Sequence, residues 1–248
     1  MDDVIIQDGF WYINKNLVNY TGIQEDVVIP NGTVEILDPF SNINRPGDYG
    51  ETEIDKIKSI TIPASVTKID NWTFSRLYNL EAIRVDKDNK YFSSENGALF
   101  NKRKTELISF PQKNKIIKYV VPEITKKIAR KAFWDNKIVE EILLPEGIKK
   151  INPETFYGCL QLRKINIPNS VTSIGKYAFF YCKSLNEITL PNSIIQIGYS
   201  AFTKLNFGQD KVGVFAVMNF KGFTIKCPKN SFAEKYARDN KINFEYIS

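Results

Sequence analysis

Histidine is absent from this chain of 248 residues, and cysteine occurs only three times. Without histidine the chain lacks the usual general base at neutral pH and the most common transition-metal ligand, so Ser-His-Asp and Cys-His catalytic arrangements are excluded. The cysteines, at positions 159, 182 and 227, form no CxxC pair and no metal-ligand spacing, and three are too few for a disulfide framework. We therefore expect no metal site and no cofactor.

Long apolar runs are also missing. No stretch approaches the roughly 18 consecutive apolar residues that cross a bilayer, so no membrane span is expected. The written start, Met-Asp-Asp-Val-Ile-Ile, lacks a basic region followed by an apolar run and therefore shows no export signal. A cytoplasmic location follows only if Met1 is the natural start, so the localisation stays open.

Charge of one sign is only slightly in excess, with 34 Lys and Arg against 28 Asp and Glu. The net charge of +6 favours anionic surfaces without requiring nucleic acid. Lysines recur at positions 126, 127, 149 and 150, but without interleaved arginines and aromatic residues they indicate a solvated face. No nucleic-acid partner is expected.

Carboxylates are the remaining candidates for catalysis, and the sequence does not arrange them for it. Glu140 and Glu141 are neighbours on a predicted strand, so their side chains diverge to opposite faces unless a bulge intervenes, which is poor geometry for a glycosidase pair. The segment from Gly208 to Gly213 lacks the Gly-Lys-Ser/Thr ending of a phosphate-binding loop. The sequence therefore predicts no catalytic residues and a non-enzymatic protein.

The sequence does contain a regular internal repeat of 23 residues. This spacing separates four prolines, each preceded by an aliphatic residue: Pro122, Pro145, Pro168 and Pro191. A phenylalanine recurs at one position of five in-phase units: Phe74, Phe133, Phe156, Phe179 and Phe202. Apolar columns at one period are typical of stacked coils, because one coil buries its inner face only against its neighbours. We expect these phenylalanines to form the structural core.

Each repeat contains a short predicted strand followed by a turn. The segment Leu162–Pro168 alternates with period two, so its mates in adjacent coils are expected to form a parallel sheet. The consensus I-x-[IL]-P-x-S-[VI]-x-x-I-G-x-x-A-F-x-x-C-x-x-L stands in full at Ile165–Leu185. It closely resembles the BspA-like leucine-rich repeat family of bacterial, often surface-exposed proteins. We therefore expect a right-handed, mainly β leucine-rich repeat solenoid, with short parallel strands stacked coil on coil.

Residues 1–248 are interpreted as a single leucine-rich repeat domain. Residues 1–53 are expected to hold an N-terminal cap and a degenerate first coil, with a looped region at 42–50. The repeats then occupy residues 54–208, and a C-terminal cap occupies residues 209–248.

Three local sequence signals predict structural elements within these segments. The longer variant unit at 86–121 contains Asn96-Gly97 between apolar runs, which predicts a hairpin. Ser231-Phe-Ala-Glu234 is a capping box that predicts a small helix to about Asp239, followed by a short strand at 243–246. The run Phe10–Ile13 is expected to seal the open end of the core, because the terminal repeats of a solenoid must be capped.

Two sets of exposed side chains are candidate partner-binding residues. The turns are expected to stack Trp134, Tyr157 and Phe180 into an exposed aromatic ladder with Tyr181 beside it. Such rings are enriched at protein and glycan contacts, but they also pack between neighbouring coils, and both roles stay open. On the main strand, outward side chains of mixed chemistry are expected at Ser59, Arg84, Ile117, Val120, Glu140, Arg163 and Lys164. The candidates among these are Glu140, Arg163, Lys164 and Arg84.

The leading hypothesis is a non-enzymatic protein-binding module. Exposed strand faces are the usual binding surfaces of solenoids, and this mixed face suits a protein partner. The family resemblance implies an adhesin-like cell-surface or secreted protein that binds a host or neighbouring-cell protein. The alternatives are an intracellular protein-interaction scaffold and a glycan-binding module. A monomer is expected, and Cys159 and Cys182, about 5 Å apart in adjacent coils, are expected to be buried reduced thiols.

Overall fold

The structure, a computed structural model, describes residues 4–40, 53–70, 72–203 and 222–247. The chain divides into two compact units, Met1–Asn114 and Lys115–Ser248, and each is a stack of short strands. The expectation of a single domain stays a prediction. The looped region predicted at 42–50 and the passage from repeats to C-terminal cap at 204–221 lie outside the described residues.

The described part of the unit Met1–Asn114 contains eleven strands and one 3-10 helix at Glu53–Lys56. The strands are β1 Val4–Gln7, β2 Phe10–Ile13, β3 Asn16–Tyr20, β4 Asp26–Val28, β5 Glu35–Ile36, β6 Ser59–Ile62, β7 Lys68–Ile69, β8 Ala82–Val85, β9 Phe92–Glu95, β10 Ala98–Asn101 and β11 Glu106–Ser109.

This unit begins as an antiparallel meander and continues as parallel stacks. β1, β2 and β3 are antiparallel, after which β3, β5 and β7 pair in parallel. β4, β6 and β8 form a second parallel stack. On β2, Phe10 and Tyr12 are buried while Trp11 and Ile13 are half-buried, so alternate residues of the Phe10–Ile13 run cover the first coil.

The hairpin predicted in the longer variant unit is confirmed. β9 and β10 pair antiparallel across Asn96 and Gly97, whose φ angles are 53° and 78°. Positive φ at both central residues matches the twist of a two-residue hairpin, and asparagine and glycine tolerate it best. The chain then returns as β11, antiparallel to β10, with Leu107 buried.

The described part of the unit Lys115–Ser248 contains ten strands and one α-helix. The elements are β12 Lys118–Val120, β13 Lys127–Ile128, β14 Glu141–Leu143, β15 Lys150–Ile151, β16 Lys164–Ile165, β17 Ser173–Ile174, β18 Glu187–Thr189, β19 Gln196–Ile197, β20 Thr224–Cys227, α1 Phe232–Asp239 and β21 Asn243–Tyr246.

Parallel strands stack in register in this unit, and the solenoid expectation is confirmed. β12, β14 and β16 form one stack, β15, β17 and β19 a second, and β18, β20 and β21 a third. The repeat sets the register, because Ile142 on β14 stands opposite Ile165 on β16. β16 ends at Ile165 because the next side chain, Asn166, bonds the backbone of Leu144: its Oδ1 accepts from the N–H at 2.6 Å and its Nδ2 donates to the carbonyl at 2.8 Å.

The turns are also hydrogen-bonded from coil to coil. The Phe156 N–H donates to the Ala178 carbonyl at 2.9 Å, and the Phe179 N–H repeats this bond to Ala201 at 2.7 Å. Between these, the Gly158 N–H donates to the Phe180 carbonyl at 2.8 Å. Equivalent turn residues of successive coils are therefore held one above another.

A stack of aromatic rings fills the core of this unit. Phe133, Phe156, Phe179 and Phe202 are buried, and the centroids of neighbouring rings lie 5.1, 5.1 and 5.4 Å apart. The fifth phenylalanine of the predicted column, Phe74, is buried in the unit Met1–Asn114, with its ring 6.3 Å from that of Phe40. Large buried rings in contact dominate the packing free energy of such narrow cores.

The C-terminal cap has the predicted helix and strand. Ser231 is the N-cap of α1, and its side-chain oxygen accepts from the Glu234 N–H at 3.2 Å. The Glu234 carboxylate in turn accepts from the Asn230 N–H at 2.7 Å. The first bond satisfies a donor that the start of the helix leaves unpaired, and the second fixes the residue before the N-cap. β21 then pairs in parallel with β20 and completes the last sheet.

Candidate functional site

The first candidate surface, here called the strand face, is made by the outward side chains of β12, β14, β16 and β18 and of the residue before each strand. Its charges alternate in sign along the stack. The Lys118 Nζ lies 3.2 Å from Glu141 Oε2, and the Lys164 Nζ lies 3.8 Å from Glu141 Oε1. In-register stacking places equivalent residues of neighbouring coils about one strand spacing apart, where like charges would repel each other. Because the charges of this face alternate in sign, neighbouring coils attract each other instead.

Glu140 and Glu141 both reach this face, contrary to the simple alternation of a strand. Their backbone N–H groups donate to the same oxygen, the Ile117 carbonyl, at 2.8 and 3.1 Å. Glu140 lies before β14, whose regular register with β12 begins with Glu141 opposite Lys118, so the alternation of a strand does not apply between these two residues. Glu140 then pairs with Arg163, whose Nε lies 3.6 Å from Glu140 Oε2. The two carboxylates thus face cations of neighbouring coils, and the arrangement is that of an ion-pair network.

One end of the strand face is apolar. Ile117 and Val120 are 58% and 56% exposed, and Leu143, in register with Val120, is half-buried. Ile117 and Val120 lie in the coil directly before the charged coils of β14 and β16. The surface therefore combines an uncovered apolar patch with paired charges.

Arg84 does not belong to this surface. It lies on β8 of the unit Met1–Asn114, whereas the other seven predicted partner-binding residues lie in the unit Lys115–Ser248. Arg84 is exposed, stands in register with Thr61 and makes no ion pair with any described residue. In the same sheet Ser59, expected to point outward, is instead buried, and its hydroxyl donates to the Asp26 carboxylate. That bond gives a polar side chain a partner below the surface.

The second candidate surface is the aromatic ladder of Trp134, Tyr157 and Phe180. The Trp134 and Tyr157 rings lie 4.1 Å apart at 5° from parallel, and the Tyr157 and Phe180 rings lie 5.0 Å apart at 17°. All three side chains are half-buried, whereas the sequence analysis expected an exposed stripe. Cross-coil hydrogen bonding of the turns brings the rings into face-to-face contact, and each covers its neighbour.

The ring faces of the ladder are largely occupied. Tyr157 is stacked on both sides, and the Lys131 ammonium lies 4.2 Å from the centroid of the Trp134 ring. Burial raises the pKa of the Tyr157 phenol above its usual value. A sugar ring stacks on a free aromatic face, so this arrangement offers little to a glycan. The edges of the three rings remain available for contact with a partner.

Two further tyrosines extend the aromatic surface. The Tyr177 ring meets Phe180 edge-on, with centroids 5.4 Å apart at 90°, and Tyr199 meets Tyr177 at 5.7 Å and 84°. Tyr199 is 70% exposed. Sequence reasoning missed both residues because they precede the repeat positions at which the ladder was sought. Tyr181, which was predicted beside the ladder, carries the Lys183 ammonium 4.6 Å from its ring centroid.

The repeat pattern decides the family. The model for the BspA type leucine-rich repeat region, with six copies of the repeat, matches residues 1–121 and 109–213. The chain belongs to this family. BspA-type repeats generally mediate protein binding and are typically non-enzymatic, so the chain is a protein-interaction module by family. A search by sequence among curated proteins finds no significant match.

The chain is also similar to solved protein structures, including those of two bacterial proteins. The pneumococcal vaccine antigen PcpA has a TM-score of 0.59 at 23% identity, over 77% of this chain and 56% of that one. A leucine-rich repeat protein from Bacteroides ovatus has a TM-score of 0.46 at 17% identity, over 99% of this chain and 66% of that one. The chain thus spans little more than half of the pneumococcal antigen.

The cysteines are part of the repeat scaffold. Cys159 and Cys182 are buried free thiols, and their Sγ atoms donate to the carbonyls of Phe133 and Phe156 at 3.1 and 3.0 Å. Burial raises the pKa of the Cys159 thiol well above its usual value, which suppresses the nucleophilic thiolate. Each cysteine therefore links its coil to the preceding one.

The described residues contain no group of three or more metal-ligating side chains. No helix in the described part of the chain is both long and apolar enough to cross a membrane.

Proposed function

We propose that this BspA-type chain is an adhesin-like recognition protein that binds a host or neighbouring-cell protein through the strand face of the unit Lys115–Ser248. The family resemblance supports display at the cell surface or secretion. The binding role of the repeats supports a protein as the partner.

The observation that carries the proposal is the exposed apolar end of the strand face beside its paired charges. Val120 on β12 and Ile117, directly before β12, each expose more than half of their surface. Protein interfaces combine an apolar, water-excluding centre with a polar rim of this kind. The strand face therefore has the composition of an interface with a protein.

The ion pairs of the strand face can be replaced by ion pairs with a partner protein. Glu140 and Arg163 are 41% and 65% exposed in their side chains, and Lys164 is 75% exposed. Exposed pairs contribute at most about 1 kcal/mol each, so a partner can replace them with its own charges at small cost. The alternating charges also favour one alignment of the partner along the strand face, because a partner displaced by one coil would place its charges opposite charges of the same sign.

The test is capture of partners by the immobilised chain from host surface proteins and, separately, from a cytosolic lysate. A strand-face variant, Ile117→Ser with Val120→Ser, is compared with a ladder variant, Trp134→Ala with Tyr157→Ala and Phe180→Ala, each confirmed to fold. We expect a surface protein that the ladder variant retains and the strand-face variant loses. Capture only from cytosol would support an intracellular scaffold, and loss only in the ladder variant would move the site to the turns.

A further inference from the structure

The charges of the strand face are grouped by coil. The coil of β14 presents two carboxylates, those of Glu140 and Glu141, and the coil of β16 presents two cations, those of Arg163 and Lys164. The register of the sheet fixes this order, because Glu141 on β14 stands opposite Lys164 on β16. A negative band is therefore followed by a positive band along the stack.

The coil of β12 precedes these two bands and adds an apolar patch. Ile117 and Val120 expose more than half of their surface, and Leu143 stands in register with Val120 beside them. Lys118 lies on the same part of the face, with its Nζ 3.2 Å from Glu141 Oε2. A partner that lies along the stack therefore meets an apolar patch, then negative charge, then positive charge.

The middle of this face offers a partner side chains rather than backbone groups. The backbone of β14 pairs with β12 on one side and with β16 on the other. An extended segment laid on the face would gain no ladder bonds there, and its own backbone groups would face side chains. A helix pairs its backbone groups internally, so it can lie on a surface of side chains.

The spacing of the coils also matches the pitch of a helix. Neighbouring strands lie about 4.8 Å apart, so the coils of β12, β14 and β16 span about 9.6 Å. Two turns of an α-helix span about 10.8 Å, whereas three alternate residues of an extended strand span about 13 Å. Successive turns of a helix can therefore each contact one coil.

We propose that the strand face binds a helix of the partner protein, laid along the stack of coils. This inference rests on the function proposed for the face and names the chemistry of the partner. The helix presents apolar residues to the coil of β12, basic residues to that of β14 and acidic residues to that of β16, one turn apart. The face recognises the order of these charges, because exchanging the basic and acidic turns would place like charges opposite each other.

A second copy of this chain fits the face less well than such a helix. Two copies related by an axis between β14 and β16 would place carboxylates opposite cations, but they would also place the coil of β12 opposite that of β18. Ile117 and Val120 would then lie against Glu187, whose side chain is 60% exposed. Burying a carboxylate against apolar side chains is costly, and a leucine of a helix avoids this cost.

Helical peptides labelled with fluorescein test the inference by anisotropy with the whole chain. The probe is an alanine- and glutamine-based peptide of about 20 residues that carries Glu-Glu, Lys-Lys and Leu-Leu pairs in this order, one turn apart. The control peptide exchanges the Glu-Glu and Lys-Lys pairs, so its composition and net charge are unchanged. A hydrocarbon staple on the opposite side of both peptides equalises their helicity. We expect the wild type to bind the probe at least about tenfold more tightly than the control peptide.

A charge-exchanged chain shows whether the bands set this preference. Each cross-coil ion pair keeps opposite signs when five residues are reversed together: Lys118→Glu, Glu140→Lys, Glu141→Lys, Arg163→Glu and Lys164→Glu. Lys150→Glu, at an exposed position of β15 outside the strand face, changes the net charge by the same amount and is the matched control. We expect the charge-exchanged chain to prefer the control peptide and Lys150→Glu to prefer the probe. Misfolding cannot produce the first of these results, because it is a gain of binding.

Equal binding of the two peptides to the wild type, binding of neither, or self-association of the wild type that excludes the probe would overturn the inference. The captured partner separates this failure from failure of the proposed function. If Ile117→Ser with Val120→Ser loses that partner while the charge-exchanged chain retains it, the inference fails and the proposed function stands. If Ile117→Ser with Val120→Ser retains the partner, the proposed function fails and the inference with it.

Discussion

The indole of Trp134 lies 4.1 Å from the ring of Tyr157, and the two planes are 5° from parallel. This contact joins equivalent residues of successive coils, whose turns are fixed by the hydrogen bond from the Asp135 N–H to the Tyr157 carbonyl at 2.7 Å. Stacked rings of this kind contribute about 0.5–1.5 kcal/mol beyond the burial of their surface. Packing between coils is therefore one role of the aromatic ladder.

Saccharides are expected to leave the tryptophan fluorescence unchanged. The face of Trp134 is covered by Tyr157 and by the Lys131 ammonium, so a sugar has no free ring face on which to stack. The measurement is a titration with neutral and acidic oligosaccharides. Because the chain has three tryptophans, Trp134→Phe serves as the control. A saturable change that disappears in this variant would restore the glycan hypothesis.

Phe156→Ala is expected to lower the free energy of unfolding by about 3–5 kcal/mol, because it removes a fully buried ring between two others. Phe180→Ala, on the half-buried ladder, is expected to cost less. Urea denaturation of both variants at one temperature gives the comparison. Equal losses would contradict the inward assignment of the phenylalanine column.

Gly175→Ala is expected to destabilise the fold by about 1–3 kcal/mol through crowding. A Cβ at this position would lie 2.4 Å from the backbone nitrogen of Pro153 in the preceding coil, so the coils would have to separate. Lys176→Ala, at the exposed neighbouring position, is the matched control. Thermal unfolding measures both variants, and a Gly175→Ala protein as stable as the control would show that the coils tolerate a wider spacing.

Acid is expected to loosen the C-terminal cap. Backbone donation from Asn230 and the Arg238 side chain lower the pKa of Glu234 below its ordinary value of 4.5. A carboxyl whose pKa is lowered by folding stabilises the folded state above its ordinary pKa, and this contribution is lost as the pH falls through the lowered value. The protection of the β21 amides from hydrogen exchange, taken relative to the intrinsic rate at each pH, should therefore fall below about pH 4.5.

Two variants isolate this effect. Glu234→Gln should remove the acid dependence of exchange in β21. Asp239→Asn removes an exposed carboxylate of the same helix and should retain it. If the two variants behave alike, the cap does not depend on Glu234.

The repeat positions made much of the fold predictable. The sequence repeats with the same period as the coils. Stacking of the coils therefore places Ile142 opposite Ile165, the equivalent residue of the next repeat. Local signals also sufficed for the Asn96-Gly97 hairpin and for the Ser231 helix cap, since each depends on a few adjacent residues.

Other features depend on contacts that a one-dimensional pattern does not encode. Glu140 and Glu141 reach one face because Glu140 lies before β14, and the backbone N–H groups of both residues donate to the Ile117 carbonyl. The burial of the ladder depends on how closely the turns approach. The run Val4–Ile6 has the sequence of a buried strand, yet its position at the sheet edge leaves it exposed.

The affinity of the strand-face variant for the captured partner tests the central claim most directly. Ile117→Ser with Val120→Ser is compared by surface plasmon resonance with Ile124→Ser and Ile195→Ser, which alter isoleucines 54% and 70% exposed outside the strand face. We predict that the strand-face variant binds at least about tenfold more weakly than the wild type, because it removes an apolar centre of the interface. The control variants should bind as the wild type does. Wild-type affinity in the strand-face variant would contradict the account.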